Sequence, residues 1–272
     1  PIIPPSIPMV LYGATAGVSV ISLFLGGIVP GFMIGFALMG VAYYIAGKRG
    51  YPVGKKATFR ELVVSLKETV WALFLPVIIL GGILGGIFTP TESAAVATVY
   101  AFLVGFFVYR ELNLKDLVRI LTRAAVSSSV VMFVVATATG LAWTLNIERI
   151  PQIAAQLISS LAQSPVAVLL IINAFLLFAG GGMDLTPNLL ILTPVFLPII
   201  KQMGISPIYF GVLMVMNLCI GLIPPPVGTI LYLACGLTGE SLWKMSKAVF
   251  PFVLAMIGVL IINILVPETV MF

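Results

Sequence analysis

The sequence predicts an all-α, polytopic membrane protein: a helical bundle with inverted repeats, proline-broken helices and a re-entrant hairpin. Three observations carry this prediction. Of the 272 residues, 61% are hydrophobic and 8% charged, and the mean hydropathy is +1.21. A soluble domain carries about 25% charged residues, so this chain has too little polar surface to face water. The charges are also clustered: six basic residues lie between Lys48 and Lys67 and four between Arg110 and Arg123. Short basic loops beside apolar spans mark cytoplasmic connections. The net charge of +5 therefore reports topology rather than nucleic-acid binding. The third observation is a ten-residue pattern that occurs twice. Ile3-Pro4-Pro5-Ser6-Ile7-Pro8-Met9-Val10-Leu11-Tyr12 aligns with Ile223-Pro224-Pro225-Pro226-Val227-Gly228-Thr229-Ile230-Leu231-Tyr232, with five of ten positions identical. Each copy puts prolines inside an apolar stretch, where a helix must break.

The elements follow in order. With the stretch from Gly47 to Lys67 on the cytoplasmic side, Pro8 to Val29 climbs outward, Val29-Pro30-Gly31 turns, and Gly31 to Ala46 returns. Residues 1–47 thus form the end of a first repeat. Residues 48–70 form a cytoplasmic amphipathic linker, with Phe59 to Thr69 lying along the membrane face. Residues 71–149 hold three crossings: Trp71 to Phe88, Ala94 to Tyr109 and Ala124 to Leu145. Residues 150–165 mix apolar residues with Gln and Ser and suit an interfacial helix. Val166 to Ala179 and Leu189 to Ile200 are shorter than the roughly 20 residues that span a bilayer. They flank the polar tip Gly180-Gly181-Gly182-Met183-Asp184-Leu185-Thr186-Pro187-Asn188, which reads as a hairpin whose tip lies at depth, tolerated only where it is buried or lines a cavity. This hairpin and the second proline break make up residues 166–247, and 248–272 hold the last crossing. After the first break the chain runs outward and after the second inward, so the repeat is inverted. By the same symmetry a hairpin is expected upstream of Pro1.

Matching broken helices in one membrane chain point to a secondary transporter. Only Asp184 and Glu92 place carboxylates in apolar surroundings, where charge is costly and usually functional. Asp184, Thr186 and the carbonyls of Gly180, Gly181, Gly182 and Met183 offer hard oxygen ligands suited to an alkali cation, although Asp184 also suits a helix cap before Pro187. Ile223, Pro224, Pro225, Pro226, Gly228 and Thr229 cannot stay helical and should line a polar site, with Ser6 symmetry-related. A simple kink is the alternative there. Thr91 and Glu92 open a helix, where a first-turn carboxylate is favoured by the helix dipole. Asn173, Asn217 and Asn263 suit hydrogen bonds between helices. The chain has no histidine, no metal-ligand spacing of its two cysteines and no phosphate-binding glycine loop. An enzyme would have little chemistry to use, no cofactor is called for beyond a coupling ion, and inverted broken helices favour alternating access over a passive channel.

The motifs Ile3-Pro4-Pro5-Ser6, Thr89-Pro90-Thr91-Glu92-Ser93-Ala94, Gly182-Met183-Asp184-Leu185-Thr186-Pro187, Leu192-Thr193-Pro194 and Ile223-Pro224-Pro225-Pro226-Val227-Gly228 together resemble the large membrane (M) subunit of tripartite ATP-independent periplasmic (TRAP) transporters. The resemblance covers the whole chain and roughly the C-terminal two-thirds of that subunit. It implies an elevator fold of the ion-transporter superfamily in a bacterial or archaeal cytoplasmic membrane. It also implies sodium-driven import of an organic acid, such as a C4-dicarboxylate, a sialic acid or another sugar acid. The implied partners are a small membrane (Q) subunit, a periplasmic binding (P) protein and the lipid bilayer. In that scheme the 166–200 hairpin and the 223–229 break belong to a mobile transport domain holding sodium and substrate, and the 71–145 crossings to a scaffold. A stand-alone sodium/carboxylate or anion symporter of related fold is the alternative.

Overall fold

The computed structural model describes residues 1–52, 54, 57–162, 164–225 and 228–270, and among them every regular element is a helix. The chain divides into two compact units, Ala46–Val130 and, together, Pro1–Ile45 with Val131–Phe272.

The smaller unit is built on a helical hairpin. Helix α3 (Phe59–Leu84) is opened by a capping box: the Thr58 side chain accepts from the Glu61 N–H at 3.3 Å, and the Glu61 carboxylate accepts from the Thr58 N–H at 2.7 Å. Such reciprocal caps satisfy donors that a helix start leaves orphaned. Gly85 and Gly86 end it, the latter at φ +69° where a side chain would be strained. Helix α4 (Pro90–Leu103) continues through a π-helical turn at Val104–Val108 and packs antiparallel on α3. Three hydroxyls on this second arm donate to α3 carbonyls: Ser93 to Ile79 at 3.2 Å, Tyr100 to Trp71 at 2.8 Å and Tyr109 to Glu68 at 3.0 Å. No break separates 59–69 from the crossing that follows. The expected surface-lying helix is instead the first part of α3, because Pro76 is accommodated inside it.

The larger unit is organised around α9 (Pro207–Gly221), in which every residue from Tyr209 to Leu218 is buried. A helix apolar on all sides must be surrounded, and four helices surround this one. Helices α7 (Pro165–Gly182) and α8 (Leu185–Gln202) form the hairpin, joined to α9 by edge-on aromatic pairs, Phe175 to Phe196 at 5.7 Å and Phe196 to Phe210 at 6.4 Å. Helix α1 (Ile7–Ala16) lays Tyr12 against Gly211, its hydroxyl donating to the Pro207 carbonyl at 2.8 Å. Helix α11 (Leu242–Leu265) supplies the Asn263 carbonyl to the Tyr209 hydroxyl at 2.8 Å. The amphipathic α6 (Ile150–Leu161) packs on α8 after the long α5 (Leu114–Ile147), which the two units share. Among the described residues, seven helices are long and apolar enough to cross a membrane: α2 (Val20–Arg49), α3, α4 with its π-turn, α5, α7, α8 and α11.

Two expectations change here. The first outer turn is not at Pro30, which sits inside the continuous α2, but at Gly17, where φ is +67°. The arms of the hairpin are each 18 residues rather than 14 and 12, because the glycines continue the first helix instead of breaking it. The repeat is also longer than the ten-residue pattern. Helix α1 and helix α10 (Thr229–Thr238) each have 10 residues and close on left-handed glycines, Gly17 and Gly239. Long helices, α2 and α11, then follow from Val20 and Leu242 and carry internal prolines, Pro30 and Pro251. The helix starts are offset by 222 positions (229 minus 7) against 220 for the prolines (224 minus 4), so the second break is two residues longer.

Candidate functional site

Three helix ends meet at the hairpin tip, those of α7, α8 and α9, and the start of α10 is tied to the end of α9. Helices α7 and α9 run parallel, fixed part-way along by the Asn217 amide, which donates to both the Asn173 carbonyl and its side-chain oxygen at 2.8 Å. Near their C-terminal ends the two backbones touch at Gly180 and Gly221. A β-carbon added to Gly221 would stand 2.8 Å from the Gly180 Cα and 2.9 Å from its carbonyl carbon. Small residues at a membrane helix crossing permit this approach, and it brings the hairpin tip to the end of α9, where the second break begins.

At the tip, Gly180 and Gly181 are buried in the last turn of α7, and Gly182 ends that helix exposed. The irregular tip is therefore only Met183 and Asp184, both extended and exposed, rather than the whole glycine run. Asp184 occupies the N-cap position of α8, yet its side chain makes no capping hydrogen bond. Thr186 and Pro187 lie half-buried in the first turn of α8. The side chain that closes the tip is one the sequence reading placed there without a role. Asn188 is buried and its amide donates to the Ala179 carbonyl at 3.1 Å and the Met183 carbonyl at 2.9 Å, tying the two arms together. A polar amide one turn into an apolar helix is the signal that could have found it.

At the break, α9 ends at Gly221 and the Ile223 N–H donates to the Ile220 carbonyl at 3.1 Å. Pro224 is half-buried and Pro225 exposed. The Ile230 N–H donates across the break to the Leu222 carbonyl at 3.3 Å. Gly228, buried at the N-cap of α10, lies under the carbonyl oxygens of Pro224 and Ile223, which would stand 2.8 and 2.9 Å from a β-carbon there. Only glycine lets both oxygens turn in over this helix start. Thr229 follows as the first residue of α10, with its side chain exposed. Pro226 lies outside the described residues.

The electrostatics follow from the ends themselves. Helices α7 and α9 bring C-termini, with partial negative charge on free carbonyls; α8 and α10 begin at the tip and the break with N-termini of partial positive charge. Such a junction offers a cation carbonyl oxygens and an anion free N–H groups. Among the described residues no three of His, Cys, Asp and Glu come together, so the donors here are carbonyls, hydroxyls and the single Asp184 carboxylate.

The other three expected residues, Ser6, Thr91 and Glu92, stand at the starts of their own helices. Ser6 is buried at the N-cap of α1, its hydroxyl accepting the Met9 N–H at 3.3 Å. Its helix docks on α8 and on α9, with Tyr12 reaching Pro207 and Gly211. Glu92 belongs to the smaller unit, where it completes the capping box of α4 by accepting from the Thr89 N–H and hydroxyl, both at 2.8 Å; Thr91 is exposed beside it. Of the three asparagines read as hydrogen-bond partners, Asn173 and Asn217 pair with each other, and Asn263 accepts from the Thr269 hydroxyl at 2.8 Å.

The family described as "Tripartite ATP-independent periplasmic transporter, DctM component" matches residues 1–269. The chain is 43% identical over 270 residues to the 2,3-diketo-L-gulonate TRAP transporter large permease protein YiaN of Escherichia coli K12, covering 99% of this chain and 64% of that protein. It is 42% identical over 266 residues to the C4-dicarboxylate TRAP transporter large permease protein DctM of Pseudomonas aeruginosa, covering 98% and 62%. It is 38% identical over 268 residues to the sialic acid TRAP transporter large permease protein SiaM of Vibrio cholerae, covering 98% and 63%. The chain thus spans less than two-thirds of the length of these relatives.

Proposed function

This chain belongs to the DctM-component family of tripartite ATP-independent periplasmic transporters, a multi-pass protein of the bacterial inner membrane, and from that premise we propose that it is part of a sodium-coupled importer of an organic acid. The observation that carries the proposal is the junction of hairpin tip and second break, held together by the Gly180–Gly221 approach. A sodium ion takes oxygens at the ends of α7 and α9 together with Asp184. A substrate carboxylate takes the N–H groups that open α8 and α10. Coupling arises because the cation fixes the tip and break in the geometry that accepts the anion, so each ligand raises the affinity for the other by the same factor. The relatives' names support an organic anion as cargo: 2,3-diketo-L-gulonate, a C4-dicarboxylate and sialic acid. In this reading the larger unit carries the site and moves as an elevator, while a small membrane subunit and a periplasmic binding protein complete the complex.

The test is uptake of labelled organic acids into proteoliposomes holding the full-length subunit and its small membrane partner, with and without a sodium gradient and the binding protein. Uptake that needs both supports the proposal and names the substrate. Uptake without the binding protein makes the protein a stand-alone symporter, and uptake indifferent to sodium removes the ion from the junction.

A further inference from the structure

A groove of about 450 Å³ runs along one face of α11 to the second break. Pro224 and Pro225 line its end at the break; α11 lines it with Ser246, Val249 and the stripe Trp243, Lys247, Phe250 and Val253, spaced four, three and three residues apart. Val253 is buried at the floor, while Trp243 and Phe250 are 72% and 59% exposed along the rim. The charges at the mouth are not equivalent. Lys244 is held by Glu240 at 2.8 Å, whereas the Lys247 ammonium lies 4.9 Å from the centre of the Trp243 ring. A lysine beside an indole ring at the end of an apolar helix marks the membrane–water interface.

The length of the groove selects its occupant. From Trp243 to Val253 the helix rises roughly 15 Å at about 1.5 Å per residue, which is half of a hydrocarbon core of about 30 Å. The groove therefore has the depth of one leaflet, with a cation at the headgroup level and an apolar wall below it. A small organic acid would find one cation, the Trp243 indole N–H and the Ser246 hydroxyl, which already donates to the Leu242 carbonyl, and the rest of the lining is apolar. We propose that this groove holds one anionic phospholipid, its phosphate on Lys247 and one acyl chain lying along Phe250 and Val253 down to Pro224 and Pro225. The lipid then props the break at Pro224 and Pro225, and the bilayer's anionic lipid content acts on the element that forms the site.

The test does not involve transport, so it stands or falls apart from the preceding proposal. The full-length subunit with its small membrane partner is titrated in detergent with phosphatidylglycerol or phosphatidylcholine of identical chains, and bound lipid is counted by native mass spectrometry. Wild type retains phosphatidylglycerol over phosphatidylcholine, Lys247→Gln lowers that preference about fivefold, and Lys247→Arg restores it. Phe250→Ser, at an exposed position, weakens both lipids alike. Equal retention by wild type and Lys247→Gln overturns the proposal, as does no preference in wild type. Displacement of the lipid by soluble glycerol phosphate or an organic acid at comparable concentration also overturns it, by assigning the groove to a free anion.

Discussion

Replacing Gly221 by alanine tests whether the junction depends on two backbones touching. The added methyl would meet three backbone atoms of Gly180, the Cα at 2.8 Å, the carbonyl carbon at 2.9 Å and the oxygen at 3.2 Å, where ordinary contact starts at 3.4 Å. Helices α7 and α9 must therefore part by at least 0.6 Å (3.4 minus 2.8), with no flexible side chain to yield instead. Overpacking of this kind costs about 1–3 kcal/mol, and it falls where tip and break meet. Gly180→Ala makes a milder demand, since its nearest atom is the Gly221 Cα at 3.2 Å, and Gly182→Ala meets nothing within 4 Å. The expected order of destabilisation is Gly221→Ala, then Gly180→Ala, with Gly182→Ala near neutral. Thermal unfolding of the full-length subunit in detergent gives the ranking, and sodium dependence of uptake gives its functional counterpart. A Gly221→Ala protein as stable and as sodium-responsive as Gly182→Ala would refute the argument.

Three further outcomes follow from the same geometry. Asp184→Asn should leave the fold intact, since the carboxylate makes no cap bond and Asn caps as well as Asp. Its half-saturating sodium concentration should rise tenfold or more, the worth of a charged-group bond of about 1.5–3 kcal/mol; an unchanged value removes Asp184 from the ion site. Asn217→Leu should cost about 1–3 kcal/mol by leaving the Asn173 side-chain oxygen without its donor, while the double change Asn173→Leu/Asn217→Leu should be nearly neutral. Additive losses in unfolding measurements would contradict this coupling. Gly228→Ala should abolish uptake while the protein still inserts, because the methyl pushes the Pro224 and Ile223 oxygens off the start of α10; normal uptake would show that the break tolerates a different shape.

What the sequence made legible was where helices cannot continue at a doubled proline, as at Pro224-Pro225, and where polar residues interrupt an apolar run, as at Asp184. Among single prolines, Pro30 misled. Pro30, Pro76, Pro194, Pro198 and Pro251 all lie inside helices, because in a membrane bundle neighbouring groups satisfy the carbonyl each proline frees. The glycine run misled in the opposite sense. Gly180 and Gly181 read as part of the polar tip, yet both are helical, and Gly180 is the surface that lets α9 approach, a role set by a residue 41 positions away (221 minus 180). Asn188 was left without a role for a related reason: its partners are carbonyls at a hairpin end, and nothing in a linear pattern shows which carbonyls are left free.

The 10-residue length of α10 has an electrical consequence. Its far end is marked by the exposed Glu240–Lys244 pair, and a helix of that length rises roughly 15 Å; with that pair at the membrane surface and the helix along the normal, the break would lie near the middle of a core about 30 Å thick. A cation seated there has traversed about half of the transmembrane field, worth roughly 1.2 kcal/mol of the 2.3 available per charge per 100 mV. Under the proposed sodium-coupled elevator, loading of the ion and movement of the loaded domain would then each carry part of the voltage dependence. A voltage step applied with sodium present and substrate absent would move charge within the membrane before any transport cycle is completed.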